Sequence, residues 1–178
     1  MRVSPGWRVV TSVALACALN GTASSDAASS GEADRLHELT RAFAAFEARD
    51  MDGRRWTADG LRGRAVVLDF WATWCPPCWA EIPWLRRIQD RFGPERVQVI
   101  GITLDVTDRR TLVSWLNRRR IDWPQVWDAH GYDSALAERF GVSSLPTSVL
   151  VGPDGRVVAL NLRGPRLMSA VEAVLEEQ

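Results

Sequence analysis

The sequence predicts an α/β layered domain built on a mixed sheet, and three observations carry that prediction. Two compact apolar runs, Ala65–Trp71 and Val97–Thr103, are each followed by a segment of helical periodicity, the alternation expected of parallel strands joined by helices. Thr147–Val151 and Arg156–Leu162 flank Gly152-Pro153-Asp154-Gly155, a turn signal that joins two strands as a hairpin. A final segment opening at Pro165 sets Leu167, Val171, Val174 and Leu175 on one helical face.

In chain order, residues 22–34 are rich in Ser, Ala and Gly and read as a linker. From Ala33 to about Ala45 the spacing of Leu36, Leu39 and Phe43 predicts a short amphipathic helix. Phe46–Asp50 and Arg54–Thr57 flank Asp52-Gly53, which marks an N-terminal hairpin. After the strand at 65–71, a helix is expected from about Pro77 to Arg91, kinked where Pro83 removes a donor. Thr107 or Asp108 opens the helix after the second strand, and Arg118-Arg119-Arg120 closes it as a solvated end favourable to the helix dipole. The stretch 121–132 holds Trp123 and Trp127, and a short helix from about Asp133 stops at Gly141. No internal repeat is visible.

The N-terminus has the pattern of a targeting segment. Arg2 and Arg8 precede an uncharged apolar run, Val9–Leu19, too short to span a bilayer comfortably but suited to a secretory signal. Cleavage is expected after Ala23, with Ala27 second. Cys17 follows Ala14-Leu15-Ala16, a poor match to a lipoprotein site. A discarded signal, a lipid anchor and an uncleaved anchor all export the domain. Residues 1–27 are therefore assigned to a signal peptide or anchor, 28–45 to a linker and short helix, and 46–178 to the folded domain. The expected compartment is periplasmic or otherwise extracytoplasmic, where thiol pairs do not stay reduced by default.

Composition narrows the chemistry. The 178 residues are 46% hydrophobic and 25% charged with a net charge of zero, which fits neither a disordered chain nor a polytopic membrane protein. A pI near 6.7 gives no basic footprint for nucleic acid, so no nucleic-acid partner is expected. All 22 basic residues are Arg, which excludes Schiff-base chemistry and the P-loop lysine.

What remains is Trp74-Cys75-Pro76-Pro77-Cys78, at a predicted strand-to-helix junction. A C-x-x-C there reads as a redox dithiol, because the positive helix end stabilises a thiolate. A structural zinc site needs four ligands, and only His37 and His130 remain, both remote. Covalent haem attachment needs His where Trp79 stands. A staple across two residues closes almost no loop. No metal and no dissociable cofactor are expected; the redox centre is a Cys75–Cys78 disulfide.

The run Val66–Cys78 resembles the active-site strand and helix start of thioredoxin-fold proteins. Cys78 followed by Trp79-Ala80-Glu81-Ile82-Pro83 is similar to the exported TlpA-like (ResA-type) branch, with its C-x-x-C-x-x-E-x-P pattern. Phe140–Thr147 resembles the family's cis-proline loop, and Gly152–Arg156 its late hairpin. The resemblance covers about residues 46 to 178. It implies a thioredoxin fold with a strand–helix insertion at 121–141 before the cis-proline loop. It also implies a periplasmic or membrane-tethered thiol–disulfide oxidoreductase, often a reductase serving cytochrome c maturation or other exported thiol proteins. The implied partners are disulfide-containing exported proteins and a membrane thiol electron donor; a monomer is expected.

Roles for single residues follow. Cys75, the more accessible sulfur by position, is the expected nucleophile, and Cys78 resolves the mixed disulfide. Resolution needs a base for the Cys78 proton. Glu81 sits three residues on, on the same helical face. Asp69 lies on the strand beneath, at a position resembling the buried acid of thioredoxin, where TlpA-like proteins usually have a non-acid. Two acids in one apolar site raise at least one pKa, and the sequence leaves open which is the base. Pro146 is expected to hold a cis peptide beside Cys75, and Leu145 to pair its backbone with a substrate strand. Trp74 and Trp79 flank the dithiol as an apolar landing surface, with core packing an equal explanation for either. Trp56, Trp84 and Trp115 are assigned to the core or its edge. Neither Pro76 nor Pro77 offers an N–H to the Cys75 thiolate, and no His or Lys lies beside it. Both facts predict a reductase rather than an oxidant whose reduced form is stabilised. An oxidase or isomerase is the alternative, and a Cu(I) carrier a more distant one. A peroxidase of similar fold would place an isolated Cys in this loop.

Overall fold

The computed structural model of the protein describes residues 23–176. The Arg2–Leu19 signal pattern and Cys17 lie outside them. Helix α1 (Ala23–Ala44) leads into a hairpin of β1 (Glu47–Arg49) and β2 (Arg55–Thr57), paired antiparallel with Ala48 opposite Trp56. Gly53 takes the left-handed φ of +85° that the turn requires. Then come β3 (Ala65–Trp71), α2 (Pro76–Trp79), α3 (Ile82–Phe92), β4 (Val97–Thr103), α4 (Arg109–Arg119) and β5 (Gln125–Val126). The chain finishes with α5 (Ala135–Phe140), β6 (Thr147–Val151), β7 (Val157–Leu160) and α6 (Gly164–Glu176).

A mixed sheet runs in the order β5-β4-β3-β6-β7. β3, β4 and β5 are parallel, whereas β6 pairs antiparallel with both β3 and β7. β3 is buried along its whole length, as its unbroken run of apolar residues requires in the middle of a two-faced sheet. Side chains alternate across it. Val66, Leu68 and Phe70 face a core completed by Leu39 and Phe43 of α1, the hairpin's Trp56, and Phe140 of α5. Val67 faces the opposite core, with Leu85 and Ile88 of α3 and Leu167 and Val171 of α6. Trp71, at the strand's end, packs with Cys75, Cys78 and Leu112 and Leu116 of α4.

Two elements differ from expectation. The segment read as a linker at 22–34 continues α1 back to Ala23; it is rich in Ala, the best helix former, and contains no Pro. The single kinked helix expected over 77–91 is two helices. Pro83 lacks an N–H, and its ring would meet the carbonyl four residues back. The chain breaks at Ala80-Glu81 instead, so that Pro83 falls in the first turn of α3, where no donor is needed. This break sets the direction of Glu81.

Candidate active site

β3 and β4 are parallel, so their C-terminal ends meet at one edge of the sheet, and the dithiol loop leaves from there. Asp105, just past β4, holds that loop. Its carboxylate accepts from Thr73 N–H at 2.8 Å, Thr73 Oγ1 at 2.5 Å and Thr103 Oγ1 at 2.6 Å. Its carbonyl accepts from Trp127 Nε1 at 2.9 Å, and Trp79 Nε1 donates to the carbonyl of Thr73 at 3.1 Å. Such charge-assisted bonds to a buried carboxylate contribute about 1.5–3 kcal/mol each, enough to fix the approach to Cys75.

Cys75 and Cys78 form a disulfide, with the sulfurs 2.00 Å apart and the Cα atoms 5.3 Å apart. Cys75 caps α2, and its Sγ accepts the N–H of Cys78 at 3.3 Å. The prolines at 76 and 77 leave that as its backbone donor from the first turn. Cys75 is not visibly the more accessible sulfur: the two residues are 4% and 3% exposed. Trp74, Pro76 and Pro77, its neighbours in sequence, are exposed, while Cys75 itself packs against Trp71, Leu112 and Leu116. The two cysteines differ in position instead, Cys75 preceding the helix and Cys78 lying within it.

Asp69 is buried on β3, with Gly101 and Ser148 as its register partners. It lies on the same strand face as Val67 and Trp71, the face toward the dithiol. Burial, aided by the charge of Glu81, pushes its carboxyl up to about 7, against a downward pull from Arg163. Among the described residues, none donates a hydrogen bond to it. Glu81, at the α2–α3 break, is held differently: its Oε2 accepts the N–H of Gly164 at 2.8 Å.

The Leu145–Pro146 peptide is cis. Pro146 is buried, and Leu145 packs against the cluster that contains both cysteines. Trp74 is 55% exposed, with its ring 6.5 Å from that of Tyr132. Trp79 is not part of an exposed surface. It is half-buried against Trp115, and the Arg119 guanidinium sits 4.6 Å over its ring. Arg119 is therefore a packed cation rather than a free helix end. Trp56 is buried and donates to Asp50 at 2.8 Å.

Sequence reasoning missed Asp105, Arg163 and Gly164, as well as exposed Val106 and Tyr132. The one available signal was Gly164 at a predicted helix start; the others are ordinary surface-type residues until the fold brings their partners in. Among the described residues, no cluster of His, Cys, Asp and Glu is arranged to hold a metal ion.

Residues 39–160 match the model of the AhpC/TSA family, more than half of the chain. The thiol-disulfide oxidoreductase ResA of Bacillus thuringiensis strain Al Hakam is 31% identical over 113 residues, 64% of this chain and 63% of that protein's length, so this chain spans under two thirds of it. ResA of Bacillus subtilis strain 168 is 29% identical over 64% of this chain and 61% of its own. Among solved structures, a thiol-disulfide oxidoreductase from Bacteroides fragilis aligns with a TM-score of 0.65 at 26% identity, covering 72% of this chain and 96% of that one. The thioredoxin domain of a thiol-disulfide oxidoreductase from Bacteroides vulgatus aligns at 0.63 and 26%, covering 73% and 92%. A mixed sheet with the dithiol at the C-terminal end of its central strand, a cis-proline loop and these similarities agree: the chain belongs to the AhpC/TSA family and has a thioredoxin-like fold.

Proposed function

We propose that the protein is a thiol–disulfide oxidoreductase that acts as a reductase of disulfides in exported proteins. The observation that carries this reading is the Cys75–Cys78 pair at the start of α2, where prolines leave Cys75 Sγ a single backbone donor. A thiolate so sparsely supported is not strongly stabilised, and a dithiol of that kind gives up electrons readily. The names of the ResA relatives support the oxidoreductase class.

In the reaction, the Cys75 thiolate attacks one sulfur of a substrate disulfide, and the other sulfur leaves as a thiolate that takes a proton. Cys78 then loses its proton, attacks Cys75 Sγ and expels the second substrate sulfur. The substrate is reduced by two electrons and the Cys75–Cys78 bond forms. Asp69 is the proposed base for the Cys78 proton. Its carboxyl titrates near neutrality and carries no hydrogen bond among the described residues, whereas Glu81 is already occupied by Gly164. Trp74, Val106 and Tyr132, exposed side chains around the loop, supply an apolar surface for the polypeptide flanking the substrate cysteine, with Pro76, Pro77, Leu145 and Pro146 completing it. The N-terminal signal pattern supports a reaction outside the cytoplasm. There a membrane thiol donor restores the dithiol, and apocytochromes c are among the exported substrates.

The reduction potential tests the direction. A value below about −230 mV is expected, and one above about −180 mV makes the protein an oxidase or isomerase. Cys78→Ser should accumulate a mixed disulfide with a protein substrate on non-reducing gels, and Cys75→Ser should not. A peroxidase reading is disfavoured because it expects an isolated Cys in this loop, whereas Cys78 stands three residues from Cys75.

A further inference from the structure

Leu162, Arg163 and Gly164 cross the base of the site and make three hydrogen bonds in succession. The Leu162 carbonyl accepts from Ser148 Oγ at 2.7 Å. Arg163 Nη2 donates to the carbonyl of cis-Pro146. Gly164 N–H donates to Glu81 Oε2 at 2.8 Å. Ser148 is the register partner of Asp69, so these residues join β6, the cis-proline loop and the Glu81 carboxylate around Asp69. Gly164 has φ +53°, and a Cβ there would lie 3.4 Å from the Trp84 ring; the turn selects Gly and thereby aims its N–H.

Arg163 has a second peculiarity. Its other terminal nitrogen, Nη1, is buried and has no hydrogen-bond partner among the described residues. A guanidinium nitrogen withdrawn from water is retained where negative charge compensates it. Asp69 of β3, whose carboxyl interacts through space with both Arg163 and Glu81, supplies that charge, with no direct ion pair to Arg163 among the described residues. Gly101 of β4 and Ser148 of β6 are uncharged, and both cysteines are in the disulfide.

We propose that Arg163 is a positioning residue of the exchange reaction: anchored on the Pro146 carbonyl, it keeps a cation beside the Asp69–Glu81 pair, so that a carboxylate is available to Cys78. The proposal rests on the dithiol chemistry above. When the Cys78 Sγ–H proton moves to that carboxylate, the freed electron pair forms the bond to Cys75 Sγ, and the substrate sulfur departs with the electrons of the broken bond. The downward pull of Arg163 on Asp69 agrees with this role.

The test is a titration of the Asp69 carboxyl by 13C NMR in the oxidised protein, without substrate, for wild type, Arg163→Gln and Arg163→Lys. Gln keeps a donor for the Pro146 carbonyl and removes the charge; Lys keeps the charge. Asp69 should titrate at higher pH in R163Q and return toward wild type in R163K. In parallel, insulin-disulfide reduction by R163Q should be about fivefold slower at pH 7, with the deficit closing by pH 9, as expected if the ionised fraction falls from about a half to about a tenth. Coincident Asp69 titrations in wild type and R163Q overturn the proposal, as does a rate deficit that is uniform across pH. If R163Q does not fold, R163K against wild type decides: an unchanged titration with the charge kept supports the proposal, and an upward shift overturns it. A wild-type protein that fails to reduce insulin at any pH would sink the proposed function, while the titration would still decide the role of Arg163.

Discussion

Asp69 holds its proton to about pH 7, whereas an ordinary aspartate has released it by about 3.8. The folded state therefore binds a proton between these values that the unfolded chain does not. The resulting sign is definite. Stability is undiminished below about pH 4, falls as the pH rises toward 7 and stays reduced above it. The loss is of the order of 4 kcal/mol. Urea unfolding of the oxidised protein at pH 5 and pH 8 should show the fall, and Asp69→Asn should flatten it. An equal fall in D69N would assign the pH dependence elsewhere. The motif residues around Asp69 were legible because Cys75, Cys78 and Glu81 lie within one short stretch, whose spacing alone implies a shared site. Arg163 was not: its partner carbonyl is 17 residues away, and only the return of β7 beside β6 brings the two together.

At the scale of elements, the seating of β5 on the sheet depends on one close approach. Gly101 of β4 faces Gln125 of β5, and a Cβ at 101 would lie 2.2 Å from Gln125 Oε1. That amide cannot simply swing away, since its Oε1 accepts from Trp71 Nε1 at 2.9 Å and its Nε2 donates to the Trp123 carbonyl at 3.1 Å. Gly101→Ala should destabilise the fold by about 1–3 kcal/mol through crowding and lost hydrogen bonds, measurable as a lower denaturation midpoint. An unchanged midpoint would mean that β5 shifts freely. Strands β3, β4, β6 and β7 were readable from apolar runs and turn residues. β5 carries no periodicity in its two residues, and only the family resemblance, as the strand of the insertion at 121–141, placed it. The α2–α3 break was half readable: Pro83 announced a disruption, but the place where the helix restarts depends on what α3 packs against.

For the whole molecule, α1 is part of the core rather than a tether. Leu39 and Phe43 are buried against the sheet. Arg35 Nη2 donates to the Phe140 carbonyl at 2.9 Å, and Thr40 Oγ1 accepts from Val157 N–H at 2.9 Å. A chain beginning at Ala45 should lose about 1.5–3 kcal/mol for each of the two buried side chains. One beginning at Ser30 should melt close to the full chain. Thermal unfolding of both versions checks this, and equal melting temperatures would show that α1 contributes nothing.

The sequence by itself determined the layered α/β class, the dithiol and the amphipathic face of α6. These depend on neighbours within a helical turn or a strand, whose chemistry the chain order preserves. The tertiary structure decided what surrounds the dithiol. It buried Cys75 against Trp71, Leu112 and Leu116, tied Glu81 to Gly164, and left Asp69 without a hydrogen-bond donor among the described residues. It also anchored Arg163 on the Pro146 carbonyl. Burial and long-range pairing govern proton affinity, and neither exists until β3, β6 and the turn before α6 are packed together.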